Sequence, residues 1–239
     1  MIILALDTTA VTASVALLEN ECVIASTSVH NKLTHSEKLL PMIDELLKNS
    51  GYTIEDVDLI GVSRGPGSFT GVRIGIATAK GLAFAKNIPI AGVSALEALA
   101  EGFRLLSDLE FDNVIISPSM DARRNELYNA LFEYDGRSLI RITEDRPISC
   151  EELEEELKGQ SKKLFINGDG AEKLYSYLSA RTTDVVPTLA PEIILKQNAV
   201  SVGKLAYRKF LEGEYEDVNK IAPLYLRTSQ AERVSGESK

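Results

Sequence analysis

The chain has 239 residues, 44% hydrophobic and 26% charged, an ordinary globular composition with room for one large domain or two compact lobes. Asp plus Glu number 35 against 26 Lys plus Arg, and the formal net charge of -9 repels a phosphate backbone, which disfavours free-standing nucleic-acid binding. No apolar run approaches the roughly 18 residues of a membrane span, and Asp7 breaks the opening MIILAL before a signal-peptide core can form, so a cytoplasmic protein is expected.

Aliphatic and β-branched runs at 2–6, 13–18 and 22–29, separated by turn-compatible TTAVT and NE, predict three consecutive antiparallel strands. From Ser36 to Lys48 the apolar positions Leu39, Leu40, Ile43, Leu46 and Leu47 follow helical spacing, closed by Gly51, and Pro41 predicts a kink or a late start. A strand at 58–63, a helix at 70–86, a strand at 89–93 and a helix at 95–106 follow, the last with Ser94 and Glu97 in capping-box relation. The order is β-β-β-α-β-α-β-α.

The second half opens on strand-like runs at 113–117, 127–133 and 138–142, the latter two joined through Asp135-Gly136. A helix from Ser149, with Glu152 completing a capping box, precedes a strand at 163–167, a Gly168-Asp169-Gly170 turn, and helices at 171–180 and 198–212. The recurring element order suggests two related lobes, 1–108 and 109–229, with a frayed polar tail at 230–239; one α/β domain with a decorated end is the alternative.

Ser63 to Gly71, SRGPGSFTG, lies between a strand and a helix, where free N–H groups and the helix dipole favour an anion. It lacks the Gly-Lys-Ser/Thr of a Walker loop, and its glycines miss dinucleotide spacing, so a tight turn capped by Thr70 is the simpler reading. The following helix holds Gly71, Gly75 and Gly81, each costing about 1 kcal/mol relative to alanine, and close approach of another helix is the expected compensation. Its apolar residues Val72, Ile74, Ile76, Leu82 and Phe84 surround it, so one side meets the sheet and the other either a partner chain or the same monomer.

Asp7-Thr8-Thr9 could hold phosphate and Mg²⁺, and Gly168-Asp169-Gly170 could abut a nucleotide. An Asx-type turn explains the first more simply, because no glycine there admits a ligand, and a turn with a cap explains the second. The histidines, His30 and His35, have no metal-ligand spacing, no G-x-S-x-G elbow exists, and Cys22 and Cys150 stand far apart, as in a reducing compartment. The acidic run at 151–156 reads as a solvated helix face.

The stretch SRGPGSFTGVRIGIATAKGLAFAKNIPIAGVSALEALA, with LALDTTAVTASVAL, HSEKLLPMIDELL and NKIAPLYLR, resembles the TsaB (YeaZ) family, non-catalytic subunits of the bacterial machinery for N6-threonylcarbamoyladenosine (t6A) in tRNA. The resemblance covers nearly the whole chain and implies a two-lobed actin/Hsp70/sugar-kinase (RNase H-like) fold. In the catalytic TsaD relatives two histidines of an H-x-E-G-H type segment hold a metal; Ala95 and Leu99 stand at those positions here, and neither can ligate one.

The resemblance therefore implies a scaffold that activates TsaD, forms a homodimer when alone, joins the ATPase TsaE in a larger complex, and meets tRNA only through that complex. No cofactor is required, and ATP or ADP binding at Asp7, Thr8, Thr9, Gly168, Asp169 and Gly170 is expected to be weak at most. The interface candidates are Leu39, Leu40, Ile43, Leu46 and Leu47 on the first helix and Arg73, Ile74, Ala77 and Phe84 on the second. A charge at Ile43 is expected to break association while the monomer stays folded. The rivals are an ATP-dependent small-molecule kinase of the same fold, using Asp7 and the 168–170 turn, and a self-sufficient tRNA-binding protein.

Overall fold

The computed structural model describes residues 1–30, 35–106, 113–123, 125–181 and 186–227. The first lobe holds β1 (Ile2–Asp7), β2 (Thr12–Glu19), β3 (Cys22–His30), α1 (His35–Ser50), β4 (Leu59–Ser63), α2 (Phe69–Phe84), β5 (Ile90–Val93) and α3 (Ala95–Glu101). Its sheet runs β3-β2-β1-β4-β5, antiparallel from β3 to β1 and parallel from β1 to β5. Alternation along the central strands divides the core between two faces. Leu4, Leu6 and Ile60 pack with α1 and α2, whereas Ile3, Ala5 and Leu59 pack with a helix from the end of the chain.

That helix is α7 (Ala199–Leu211), capped by Asn198, whose side chain accepts from Val200 N. Sequence order groups it with the second half, yet it lies on the first sheet. The second lobe contains β6 (Val114–Asp121), β7 (Glu126–Asn129), β8 (Phe132–Tyr134), β9 (Leu139–Arg141), β10 (Arg146–Ser149), α4 (Cys150–Glu156), β11 (Leu164–Asn167), α5 (Ala171–Ser179), β12 (Pro187–Leu189) and α6 (Glu192–Leu195). Its sheet follows β10-β7-β6-β11-β12, with β8 also pairing β6 and β9.

Between the lobes, α3 sends Leu96 and Leu99 into the core of the second sheet and Ala98 into that of the first. The architecture is thus the two-lobed actin-like α/β class, and the β-β-β-α-β-α-β-α order holds for the first lobe.

Several local expectations change. α1 runs through Pro41 from His35, so the proline does not delay its start. The strand expected over 127–133 divides into β7 and β8, which pair with different stretches of β6. β10, β12 and α6 carry too few residues to show a period. Ser149 and Glu152 form both halves of their capping box. Ser94 makes one half, accepting from Glu97 N at 3.2 Å. The Glu97 carboxylate goes instead to Arg141, 3.5 Å away. The helix expected over 95–106 tightens to a 3-10 turn from Gly102 to Leu106. The polar tail at 230–239 lies outside the described residues.

Candidate functional site

At the end of β1, Asp7 Oδ1 accepts from Thr9 N at 2.9 Å and from Thr9 Oγ1 at 2.7 Å. This is the Asx-type turn expected from the residue types. Asp7, Thr8 and Thr9 are all buried. Burial raises the Asp7 carboxyl above the usual carboxylate range, opposed by the hydrogen bonds from Thr9, by the neighbouring Ser63 hydroxyl and by the charge of His35. The Ser63 contact stops short of hydrogen-bond geometry, leaving Asp7 Oδ2 and Ser63 Oγ without partners.

The space around this turn is filled by the start of α2. Thr8 Oγ1 donates to Gly71 O at 2.7 Å, a Cβ on Gly71 would overlap Thr8 O, and one on Gly75 would sit 2.5 Å from Thr8 Oγ1. The compensation for two of the three helix glycines is therefore the Asp7–Thr9 turn, not another helix. The helix is capped by Ser68, whose Oγ accepts from Gly71 N at 3.3 Å, and not by Thr70 as the sequence suggested. Ser68 N donates to Thr9 O at 2.7 Å, so two amides of this stretch, those of Ser68 and Gly71, are spent inside the protein.

The second candidate loop is similar. Gly168 N donates to Leu195 O at 2.7 Å and Gly170 N to Ser119 O at 2.9 Å. Both loops converge on the end of β6, where Met120 Cε lies 3.0 Å from the Cβ position of Gly67 and Met120 C 2.9 Å from that of Gly170. Desolvation by the packed loops, with Asp121 adding to it, pushes the Asp169 carboxyl up to about 6. The residue as a whole still keeps an exposed surface, so solvent screens part of that effect. Among the described residues no cluster of three or more His, Cys, Asp or Glu could hold a metal ion, and no helix is long and apolar enough to cross a membrane. Ala95 and Leu99, at the positions compared with metal-binding histidines, are buried in the core joining α3 to the second sheet.

The interface candidates on α1 require correction. Leu39, Ile43, Leu46 and Leu47 are 1%, 3%, 6% and 7% exposed, packed in one cluster with β1, β2, β4 and α2. They are the apolar stripe that holds α1 to its own sheet, which leaves Leu40, 52% exposed, as the one interface candidate on that helix with an open side chain. On α2 the outcome differs. Arg73 and Ala77 are exposed, Ile74 is half-buried, and Phe84 is 72% exposed. A Cβ on Gly81 would meet nothing within 4 Å. Phe69, Thr70, Arg73, Ile74 and Ala77 line a shallow groove along this face.

One wall of the face comes from the far end of the chain. After α7, Glu216 forms an antiparallel bridge with Ile90 and an ion pair with Arg64 at 3.1 Å, and Leu224 N donates to Arg64 O at 2.7 Å. Tyr225 then stacks on Phe69 with ring centroids 4.9 Å apart, and its hydroxyl accepts from Arg73 Nε at 2.7 Å. The Arg73 guanidinium lies 3.8 Å from the Phe69 centroid. Sequence reasoning missed Phe69 and Tyr225 as parts of this face. No local pattern joins Arg73 to a residue 152 positions away.

A family model described as "TsaD: tRNA N6-adenosine threonylcarbamoyltransferase" matches residues 24–234. The chain is 35% identical over 232 residues to the tRNA threonylcarbamoyladenosine biosynthesis protein TsaB of Bacillus subtilis, covering 97% of this chain and 96% of that one. It is 33% identical to the protein of the same name from Haemophilus influenzae, covering 94% and 93%. Among solved structures, a Pseudomonas aeruginosa protein described as similar to the peptidase YeaZ superposes with a TM-score of 0.79 at 30% identity, over 95% of this chain and 99% of that one.

Proposed function

The chain belongs to the TsaB/YeaZ family, and from that premise we propose that it is a non-catalytic scaffold of tRNA t6A biosynthesis that docks the catalytic subunit TsaD through the outer face of α2. The observation that carries this reading is the uncovered stripe of Arg73, Ile74, Ala77, Gly81 and Phe84, which places an exposed phenyl ring and a helix glycine on one side of a helix. A small-residue surface between larger apolar ones suits the close approach of a partner helix. The same face serves a homodimer when the chain is alone, so the two assemblies compete.

A non-catalytic role is supported by chemistry. Ala95 and Leu99 offer no metal ligand, and the buried Asp7 turn spends its Thr9 amide on its own Asp7 carboxylate. ATP or ADP therefore binds weakly at most, no cofactor is needed, and the kinase alternative loses its phosphate site. TsaE joins through the larger complex, and tRNA is met only there, given the net charge of -9. The setting is cytoplasmic.

The test is capture of TsaD from the same organism by the purified chain and by Ala77→Arg. The wild type retains TsaD and the variant loses it while melting at the wild-type temperature. Undiminished capture by a folded Ala77→Arg protein removes α2 from the interface.

A further inference from the structure

We infer that residues 225–227 form a strap that couples the outer face of α2 to the second lobe, so that what docks on α2 also sets how firmly that lobe is held. The inference rests on the α2 docking reading above. From Glu216 to Leu224 the chain is fixed to the first lobe by backbone bonds and burial. Glu216 N donates to Ile90 O at 2.8 Å, Val218 and Ile221 lie in the core shared by α1, α2 and the sheet, and Leu224 N donates to Arg64 O at 2.7 Å. Beyond Leu224 the hold changes in kind. Among the described residues no backbone–backbone hydrogen bond reaches Tyr225, Leu226 or Arg227, and two side chains carry the segment. Tyr225 lies against Phe69 and Arg73 on α2, and two positions later Arg227 pairs with Glu126 on β7.

Two grips this close on one tether are not independent. With Tyr225 seated, Arg227 stays beside Glu126 at a high effective concentration; with Tyr225 released, the segment swings from Leu224 and the pair must form against greater freedom. The converse holds equally, because linkage makes the coupling the same in both directions. Arg227 and Glu126 are both part-exposed, so their pair is weak alone and depends on the tether. Tyr225 is 42% exposed, and a partner seated on α2 covers it and keeps it in place. The lobes also meet through Arg141–Glu97 and Ser94–Asp145, but those contacts are made at α3. The strap is the link that starts on the docking face itself.

Trypsin can cut after Arg227 only when the segment leaves both grips, so the initial rate of that cut in the native full chain reports its release. Arg73→Ala loosens the Tyr225 grip and Glu126→Gln the Arg227 grip, and each should speed the cut at least about threefold at an unchanged melting temperature. The double variant should be faster than either, but by less than the product of the two effects, because each change alone already forfeits the coupling. Multiplicative effects, or a rate that Arg73→Ala leaves unchanged, overturn the strap. Reciprocity supplies the second readout: Glu126→Gln, a change in the second lobe, should raise the Kd for TsaD at least about twofold, and that rise should vanish in an Arg227→Gln background. A Kd indifferent to Glu126→Gln, or a rise that persists without Arg227, overturns the coupling to docking. Ala77→Arg separates this from failure of the docking reading. If Ala77→Arg leaves TsaD capture intact, α2 is not the face, and the cleavage cycle in the chain alone still decides whether the strap joins α2 to the second lobe.

Discussion

Thr8 and Gly71 interlock: the Thr8 hydroxyl donates to Gly71 O at 2.7 Å, and the Thr8 carbonyl occupies the place where a Cβ on Gly71 would stand. The Asp7–Thr9 turn and the first turn of α2 are thus one packed unit. Gly71→Ala should destabilise the protein by about 1–3 kcal/mol or more, because the obstacle is backbone and cannot swing aside. Urea denaturation would measure it, and an unchanged midpoint would refute the interlock.

At Gly75 the obstacle is a side-chain atom, Thr8 Oγ1, at 2.5 Å from the Cβ position. Gly75→Ala should therefore cost about 1–3 kcal/mol alone but much less in a Thr8→Ala background, since the second change removes the clashing atom. A double-mutant cycle by urea denaturation checks this. Strict additivity would mean the helix adjusts elsewhere.

The contrast between these glycines shows what the sequence could and could not disclose. Leu39, Ile43, Leu46 and Leu47 announce a helix with an apolar stripe, but periodicity cannot say whether that stripe meets its own sheet or another chain. The structure answers with their burial. Gly71, Gly75 and Gly81 look alike as letters, yet two face the Thr8 turn and one faces open space. Tyr225 lay beyond reach, because its neighbours Phe69 and Arg73 come from the other end of the chain. The element order was legible because most strands and helices of the first lobe, β5 aside, are long enough to show their period, unlike β12 or α6.

Ile43→Glu should unfold the monomer, not merely release a partner. Ile43 is 3% exposed in the cluster between α1 and the sheet, and an unpaired carboxylate there loses its hydration with no hydrogen bond in return. The cost should reach several kcal/mol, visible as a lost or strongly lowered thermal transition. Leu40→Glu, at a 52% exposed position, should leave stability within about 0.5 kcal/mol. Circular-dichroism melts of both variants would decide, and a native melt for Ile43→Glu would contradict the core assignment.

The contributions of Asp7 and Asp169 to stability should fall as pH rises through the carboxylate range, against those of carboxylates such as Glu21 and Asp217 that the folded state holds below their usual values. Asp7 and Asp169 both titrate above 3.8 in the folded protein, Asp169 at about 6, so the folded state holds protons more tightly than the unfolded chain. Their stabilising contribution is complete below pH 3.8 and is lost as pH climbs through the folded values. Asp169→Asn should flatten the stability profile between pH 3.8 and about 6. Asp7→Asn, which keeps an acceptor for Thr9, should raise stability at neutral pH by removing a buried charge. Denaturation midpoints across that range supply the comparison, and a profile unchanged by both substitutions would place the pH dependence elsewhere.

Gly81→Ala should act with opposite signs on two equilibria. Within the monomer a Cβ at this position meets nothing within 4 Å, so the substitution should stabilise the helix by up to about 1 kcal/mol, the usual gain of alanine over glycine in a helix interior. If a partner helix approaches α2 closely beside Ala77, the same methyl group intrudes into the contact and weakens association. Larger residues such as leucine should weaken it further while leaving the monomer folded. The monomer effect is read by urea denaturation at concentrations below dimerisation, and the association effect by sedimentation. Stabilisation with unimpaired dimers and unimpaired TsaD capture would show that Gly81 lies off the docking path. Weakened association without loss of monomer stability would place a neighbour's backbone against it.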